Sequence, residues 1–107
     1  MTSFYNKLKN RIIIKENIAS VNEEEKWIEK YKIYAEIIPI NELNLKKIEG
    51  IDFGNILELK YKIFRIRFIN KFLKIGRIAF KETSYSICRI INERDESRFL
   101  IIIAEEI

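Results

Sequence analysis

The plainest pattern in the chain is an alternation with a period of two residues. Between Lys62 and Phe68, Phe64, Ile66 and Phe68 fall on one side, and Arg65 and Arg67 on the other. A pleated strand with one buried face produces that pattern. A second strand is predicted from about Ile75 to Phe80, separated from the first by Asn70 to Lys74, a spacing suited to a hairpin. Tyr85 to Ile91 and Phe99 to Ala104 follow, joined by the polar, turn-forming stretch Asn92 to Ser97. Four consecutive short strands predict an antiparallel meander.

Arg11 to Lys15 and Ile33 to Ile38 are also β-rich, and Pro39 marks the end of the second run. Periodicity leaves the region from Glu23 to Ile38 open, because Trp27, Tyr31, Tyr34, Ala35 and Ile38 also share one face of a helix. Asn41 to Gly50 reads as a short helix: Asn41 suits a cap, Glu42 lies in the first turn, Lys46 is four residues on, and Gly50 suits the end. A loop containing Gly54 then leads into the basic strand.

Isoleucine occupies 24 of 107 positions, including the triplets Ile12–Ile14 and Ile101–Ile103. Consecutive residues of a strand point to opposite faces, so each triplet makes both faces apolar. A small domain answers that by closing its sheet with a helix packed outside, or by burying one face against another subunit. A genome rich in A and T would also inflate isoleucine without structural demand. The length predicts a single domain over residues 1–107, and 3 Gly with 1 Pro excludes a collagen-like or disordered chain.

Charge is distributed unevenly. The net value is +4, but residues 60–81 carry eight cations and no acid, whereas residues 16–59 sum to −5 and residues 82–107 to −3. Such a basic band can bind phosphate, meet the acidic flank of a neighbouring copy, or solvate the outer face of a sheet.

The missing residue types narrow the chemistry further. With no histidine, the chain has no imidazole base, no Ser-His or Cys-His nucleophile pair and no histidine-bearing metal set. Cys88, the single cysteine, makes no intrachain disulfide and, among Ile87, Ile90 and Ile91, is expected to fill core space. Glu23–Glu25 and Glu105–Glu106 read as solvated surface, since a working carboxylate pair needs burial that separates the two pKa values. Gly50, Gly54 and Gly76 fit no phosphate-loop spacing. Charge breaks every apolar run short of a membrane span or secretory signal, which points to a soluble cytoplasmic protein. No enzyme, cofactor or metal is expected.

Nucleic-acid binding is the main alternative. Tyr61, Phe64, Phe68 and Phe72 are interleaved with basic residues, as on small barrels that bind single strands. Phe64 and Phe68, however, alternate against the arginines and are better used in a core. Trp27, after an acidic run, reads as an anchor over one end of the core.

In the order of its features the chain resembles the phage head-tail joining family, also called head-tail adaptor or head completion (stopper) proteins, of tailed phages and prophages. The resemblance covers most of the chain. It runs from Leu8, Arg11, Ile12 and Ile14 through Trp27, Tyr34–Ile37 and Pro39 to Phe64–Phe68. It continues with Arg77–Phe80, Tyr85–Ile87, Ile90–Asn92 and the closing Leu100–Glu106. Two departures are the turn Asn17 to Lys26, which has no glycine, and Lys81–Ser84, where a glycine-containing turn is common in the family.

The resemblance implies a mainly β protein, a small antiparallel β-barrel of about six strands with a short helix between the second and third. Lys32 to Ile38 should be a strand, and Trp27 should precede it in a loop. Copies would form a ring beneath the portal of a DNA-filled head and offer the tail a docking surface. The implied partners are the portal or a portal-bound adaptor, a tail completion or tail tube protein, further copies of the chain, and packaged DNA in the channel. Neither a membrane nor a small-molecule substrate is implied. The implied locations are the host bacterial cytoplasm during assembly and the virion neck. The connection from Asn41 to Asn55 would project toward the channel, which makes Lys46 and Lys47 candidates for facing it. Arg65, Arg67, Lys71 and Trp27 are candidates for a subunit or adaptor interface.

Overall fold

A computed structural model describes residues 8–39, 61–70 and 76–107. Its strands are β1 (Asn10–Asn17), β2 (Trp27–Ile38), β3 (Tyr61–Arg67), β4 (Gly76–Phe80), β5 (Thr83–Asn92) and β6 (Phe99–Glu106). All six pair antiparallel in one closed sheet, in the order β1-β2-β3-β6-β5-β4 with β4 returning to β1. Among the described residues the only helical element is a short 3-10 turn at Glu93–Asp95.

Closure follows from the alternation. Ile12 and Ile14 of β1, Phe64 and Ile66 of β3, Ile78 and Phe80 of β4, Tyr85 of β5, and Leu100 and Ile102 of β6 converge inside and are buried. Each large apolar side chain taken out of water stabilises by about 1.5–3 kcal/mol. β3 and β4 lie on opposite sides of the ring of strands, so their aromatics meet across the interior. Phe64 stands edge-on to Phe80 with centroids 6.0 Å apart, and edge-on to Tyr85 at 5.6 Å.

The expected meander is corrected at one step. β3 and β4 do not pair: β3 sits between β2 and β6, while β4 sits between β1 and β5. A short intervening segment also fits two strands on opposite walls, provided each finds its partners elsewhere. Only closure with β1 and β2 reveals that arrangement.

The open region from Glu23 to Ile38 resolves as strand, and Trp27 is its first residue, paired with Asn17, rather than part of a preceding loop. Its helix-like spacing mixes the two faces of the strand: Tyr31 and Ala35 pack with the interior cluster, whereas Ile38 packs with the outer one. Ile14 pairs with Tyr31 but Lys15 pairs with Glu29, so Lys30 is an extra residue that shifts the alternation of β2 by one. The glycine-free turn before Trp27 is closed by Asn17, whose side-chain oxygen accepts from the backbone N–H of Ala19 and of Lys26, each at 3.0 Å. In the tight β4–β5 turn Lys81 takes the left-handed conformation, at φ 56°.

Isoleucine triplets behave as their composition requires. Ile101, Ile102 and Ile103 are all at most 5% exposed, with Ile102 inside and its two neighbours on the outer face. There they join Ile63, against which Ile38, Tyr61 and Ile91 pack. This outer cluster is nearly water-free in a single copy, so its burial does not depend on a second subunit. The helix expected over Asn41 to Gly50 lies outside the described residues.

Candidate assembly surface

Three carbons separate a guanidinium from its backbone, long enough for an arginine on one strand to reach residues on two neighbouring elements. Arg65 does this from the outer face of β3. It donates to both oxygens of Glu93, Nε to Oε2 at 2.7 Å and Nη2 to Oε1 at 2.8 Å, and reaches Glu36 of β2 through Nη1 at 3.4 Å. The guanidinium carbon lies 4.3 Å from the Phe99 ring centroid on β6. A planar fork matched to a carboxylate and laid on an aromatic ring exploits most of what arginine offers over lysine. The Arg65 side chain is only 12% exposed, so its charge is engaged within its own chain.

A second clasp holds the other side of the sheet. Arg77 of β4 stacks over Trp27 of β2, 4.2 Å from the ring centroid. Glu25 accepts from Trp27 Nε1 at 3.0 Å and from Arg77 Nη2 at 3.5 Å. These groups are more exposed than the Arg65 set, with Glu25 64% open to solvent. Exposed ion pairs of this kind contribute about 0–1 kcal/mol. Trp27 is half-buried and serves as the platform of this clasp.

The two clasps change the meaning of the basic band. Its described arginines are divided between β3 and β4, on opposite walls, whereas Lys62 of β3 and Lys81 of the β4–β5 turn come together over the Phe80 ring, 5.6 and 5.3 Å from its centroid. Arg65 and Arg77 meet the chain's own acidic flanks: Glu36 and Glu25 from the segment before the band, and Glu93 from the segment after it. Arg67 is exposed on β3 and pairs in register with Phe99. Lys71, Lys46 and Lys47 lie outside the described residues.

Glu93, Glu36, Phe99, Arg77 and Glu25 were not singled out in the sequence. Nothing local could flag them, because Arg65 meets its carboxylates across 28 and 29 residues and Arg77 meets Glu25 across 52. The polar stretch after β5, expected only as a turn, is shaped to present Glu93. Asn92 accepts from the Ser97 N–H at 3.0 Å and donates to the Ser97 hydroxyl at 3.2 Å. Arg94, Asp95 and Ser97 all adopt left-handed backbone, at a cost of about 1–2 kcal/mol for a residue such as Arg94.

Cys88 departs from expectation. It is exposed rather than in the core, because β5 bulges there: Ile87 pairs with Ala104 and Arg89 with Ile103, leaving Cys88 without a partner position. Partial desolvation, and then the nearby Glu105 charge, push its thiol pKa up, which keeps it in the less nucleophilic protonated form. Burial likewise raises Tyr85, with a further contribution from Glu106. Lys30 is raised chiefly by its hydrogen bond to Glu16.

No family model matches the sequence, and no curated protein matches it. Among the described residues no helix is long and apolar enough to cross a membrane, and no group of three or more potential metal ligands is found.

Proposed function

We propose that this chain is a structural component of a tailed-phage or prophage connector, a small β-barrel with a short helix between its second and third strands. Copies form a ring that joins the portal, or an adaptor bound to it, to a tail completion or tail tube protein, and the ring helps retain packaged DNA. One observation carries the reading: the closed sheet fills its interior with apolar side chains, Phe64, Phe80 and Tyr85 among them, and leaves its outer surface as the part that can meet partners. A protein built that way acts through surface complementarity. In this reading the chain breaks no bond and needs no cofactor.

The same observation weighs against a nucleic-acid-binding barrel. Phe64 is fully buried, Phe68 packs half-buried against the interior cluster and Tyr61 against the outer isoleucine cluster, while Phe72 lies outside the described residues; a single-strand reader sets its aromatics outward for bases to stack upon. Reversing Arg65 is a poor probe of assembly, because a carboxylate there would stand beside Glu36 and Glu93 and damage the fold. Arg67→Glu is the better choice.

The test is deletion of the gene from an inducible prophage, followed by electron microscopy. Free tails beside separate heads that lose their DNA are expected, and intact virions would overturn the proposal. Binding of short DNA whose log affinity falls steeply against log salt would favour the alternative.

A further inference from the structure

β2 is bonded along both edges for only part of its length. Its lower end, Glu36 to Ile38, pairs with Arg65 to Ile63 of β3. Above that point β3 turns to β6 alone, with Ile66 opposite Leu100 and Arg67 opposite Phe99. From Trp27 to Ala35, β2 pairs with β1 on one side and, among the described residues, with nothing on the other. Ile28, Glu29, Lys30, Lys32 and Tyr34 are exposed along this stretch, Tyr34 at 55%. An edge left unpaired among the described residues is a template for another strand.

We infer that this edge of β2 takes up a second copy of the chain, with the two β2 strands antiparallel and Trp27 opposite the partner's Tyr34. In that register Ile28 meets Ile33, Glu29 meets Lys32 and Lys30 meets Tyr31, each pair occurring twice about the twofold axis. The bulge makes the register possible. Because Lys30 is an extra residue, Trp27, Glu29, Lys32 and Tyr34 all lie opposite odd-numbered β1 residues, Asn17, Lys15, Ile13 and Arg11. Ile12 and Ile14 of β1 are the buried, inward positions, so those four residues share the outer face. Ile28 and Ile33 pair with Glu16 and Ile12 and share the inner one. Trp27–Tyr34, Ile28–Ile33 and Glu29–Lys32 are therefore each on a common face, which an unbulged strand could not achieve in this register.

Neighbouring registers are rejected by charge. A shift of one residue in either direction sets Lys30 against the partner's Lys30, or Lys30 against its Lys32 twice, whereas the inferred register opposes lysine to glutamate. A twofold pair of this sort closes on itself, and the inference does not rest on the connector proposal.

Sedimentation equilibrium of the purified full chain tests it. The wild type is expected to form a dimer as concentration rises. Lys32→Glu, which places two glutamates opposite Glu29, should weaken it by roughly tenfold. The double variant Glu29→Lys/Lys32→Glu should restore it, with the circular dichroism spectrum of all three unchanged. A wild-type chain that stays monomeric, or a dimer indifferent to Lys32→Glu, would overturn the inference. So would a double variant no stronger than the single one.

Discussion

β6 and β2 belong to one closed sheet and live in opposite conditions. β6 is paired along both edges, with β3 and β5, and five consecutive residues from Leu100 to Ala104 are buried. Among the described residues β2 is the longest strand, yet only Ala35 of it is buried and its upper part is paired on one side. A strand between two neighbours with apolar residues on both faces is fixed by packing. One standing half outside the sheet must be fixed by its partner strand, by caps and by clasps.

The largest expected effect separates the two directly. Ile102→Ala should cost about 2–5 kcal/mol in a urea melt, because a fully buried position leaves a cavity. Ile28→Ala on β2 should cost less than about 1 kcal/mol, since Ile28 is 39% exposed. Equal losses would erase the distinction.

Arg65→Ala comes next, at roughly 2–3 kcal/mol, because Glu93 and Glu36 would keep their partly buried carboxylates without the cation between them. The corresponding Arg77→Ala in the exposed clasp should cost no more than about 1 kcal/mol. The difference would be read from the same melts, and an Arg77 loss as large as that of Arg65 would show the outer clasp to be structural.

Gly76→Ala sharpens the comparison where β4 meets β1 and β5. A Cβ there would stand 2.8 Å from Ile87 Cδ1 and 3.4 Å from the Lys15 carbonyl oxygen. The expected cost is about 1 kcal/mol, and Ile87→Val, which removes that methyl group, should recover most of it. Failure of the rescue would place the strain on the Lys15 backbone.

Stability should also fall in alkali. Tyr85 has its pKa raised by burial above the ordinary value of 10.0, and Cys88 is raised above 9.0. A group whose pKa is higher in the folded chain favours folding while it stays protonated. That contribution is present below the ordinary value and is lost as pH rises through the folded one. Tyr85→Phe should flatten the alkaline limb of a stability profile. The smallest effect is at the β5–β6 loop, where Arg94→Gly should raise stability by about 0.5–1 kcal/mol by relieving the φ of 54°.

Some of this architecture was legible early and some was not, for identifiable reasons. Phe64, Ile66 and the isoleucine triplets announced their strands because burial acts on each side chain singly and leaves a two-residue period. Apolar residues on both faces of β2 made it look helical, and the isoleucines around Cys88 made it look buried where a bulge turns it outward. Arg65 and Trp27 stood out as residues, but their partners did not.

From its order of side chains alone, this chain determined that it would be β-rich, that β6 would be apolar on both faces, and that Phe64 and Ile66 would be packed inward. Those properties depend on the period and identity of neighbouring residues. Tertiary structure decided that β3 would join β6 instead of β4, that Arg65 and Arg77 of the basic band would stand on opposite walls, and that Glu93 would hold Arg65. Such outcomes depend on which distant strands meet when the sheet closes, and a partner 28 residues away along the chain leaves no mark on local spacing.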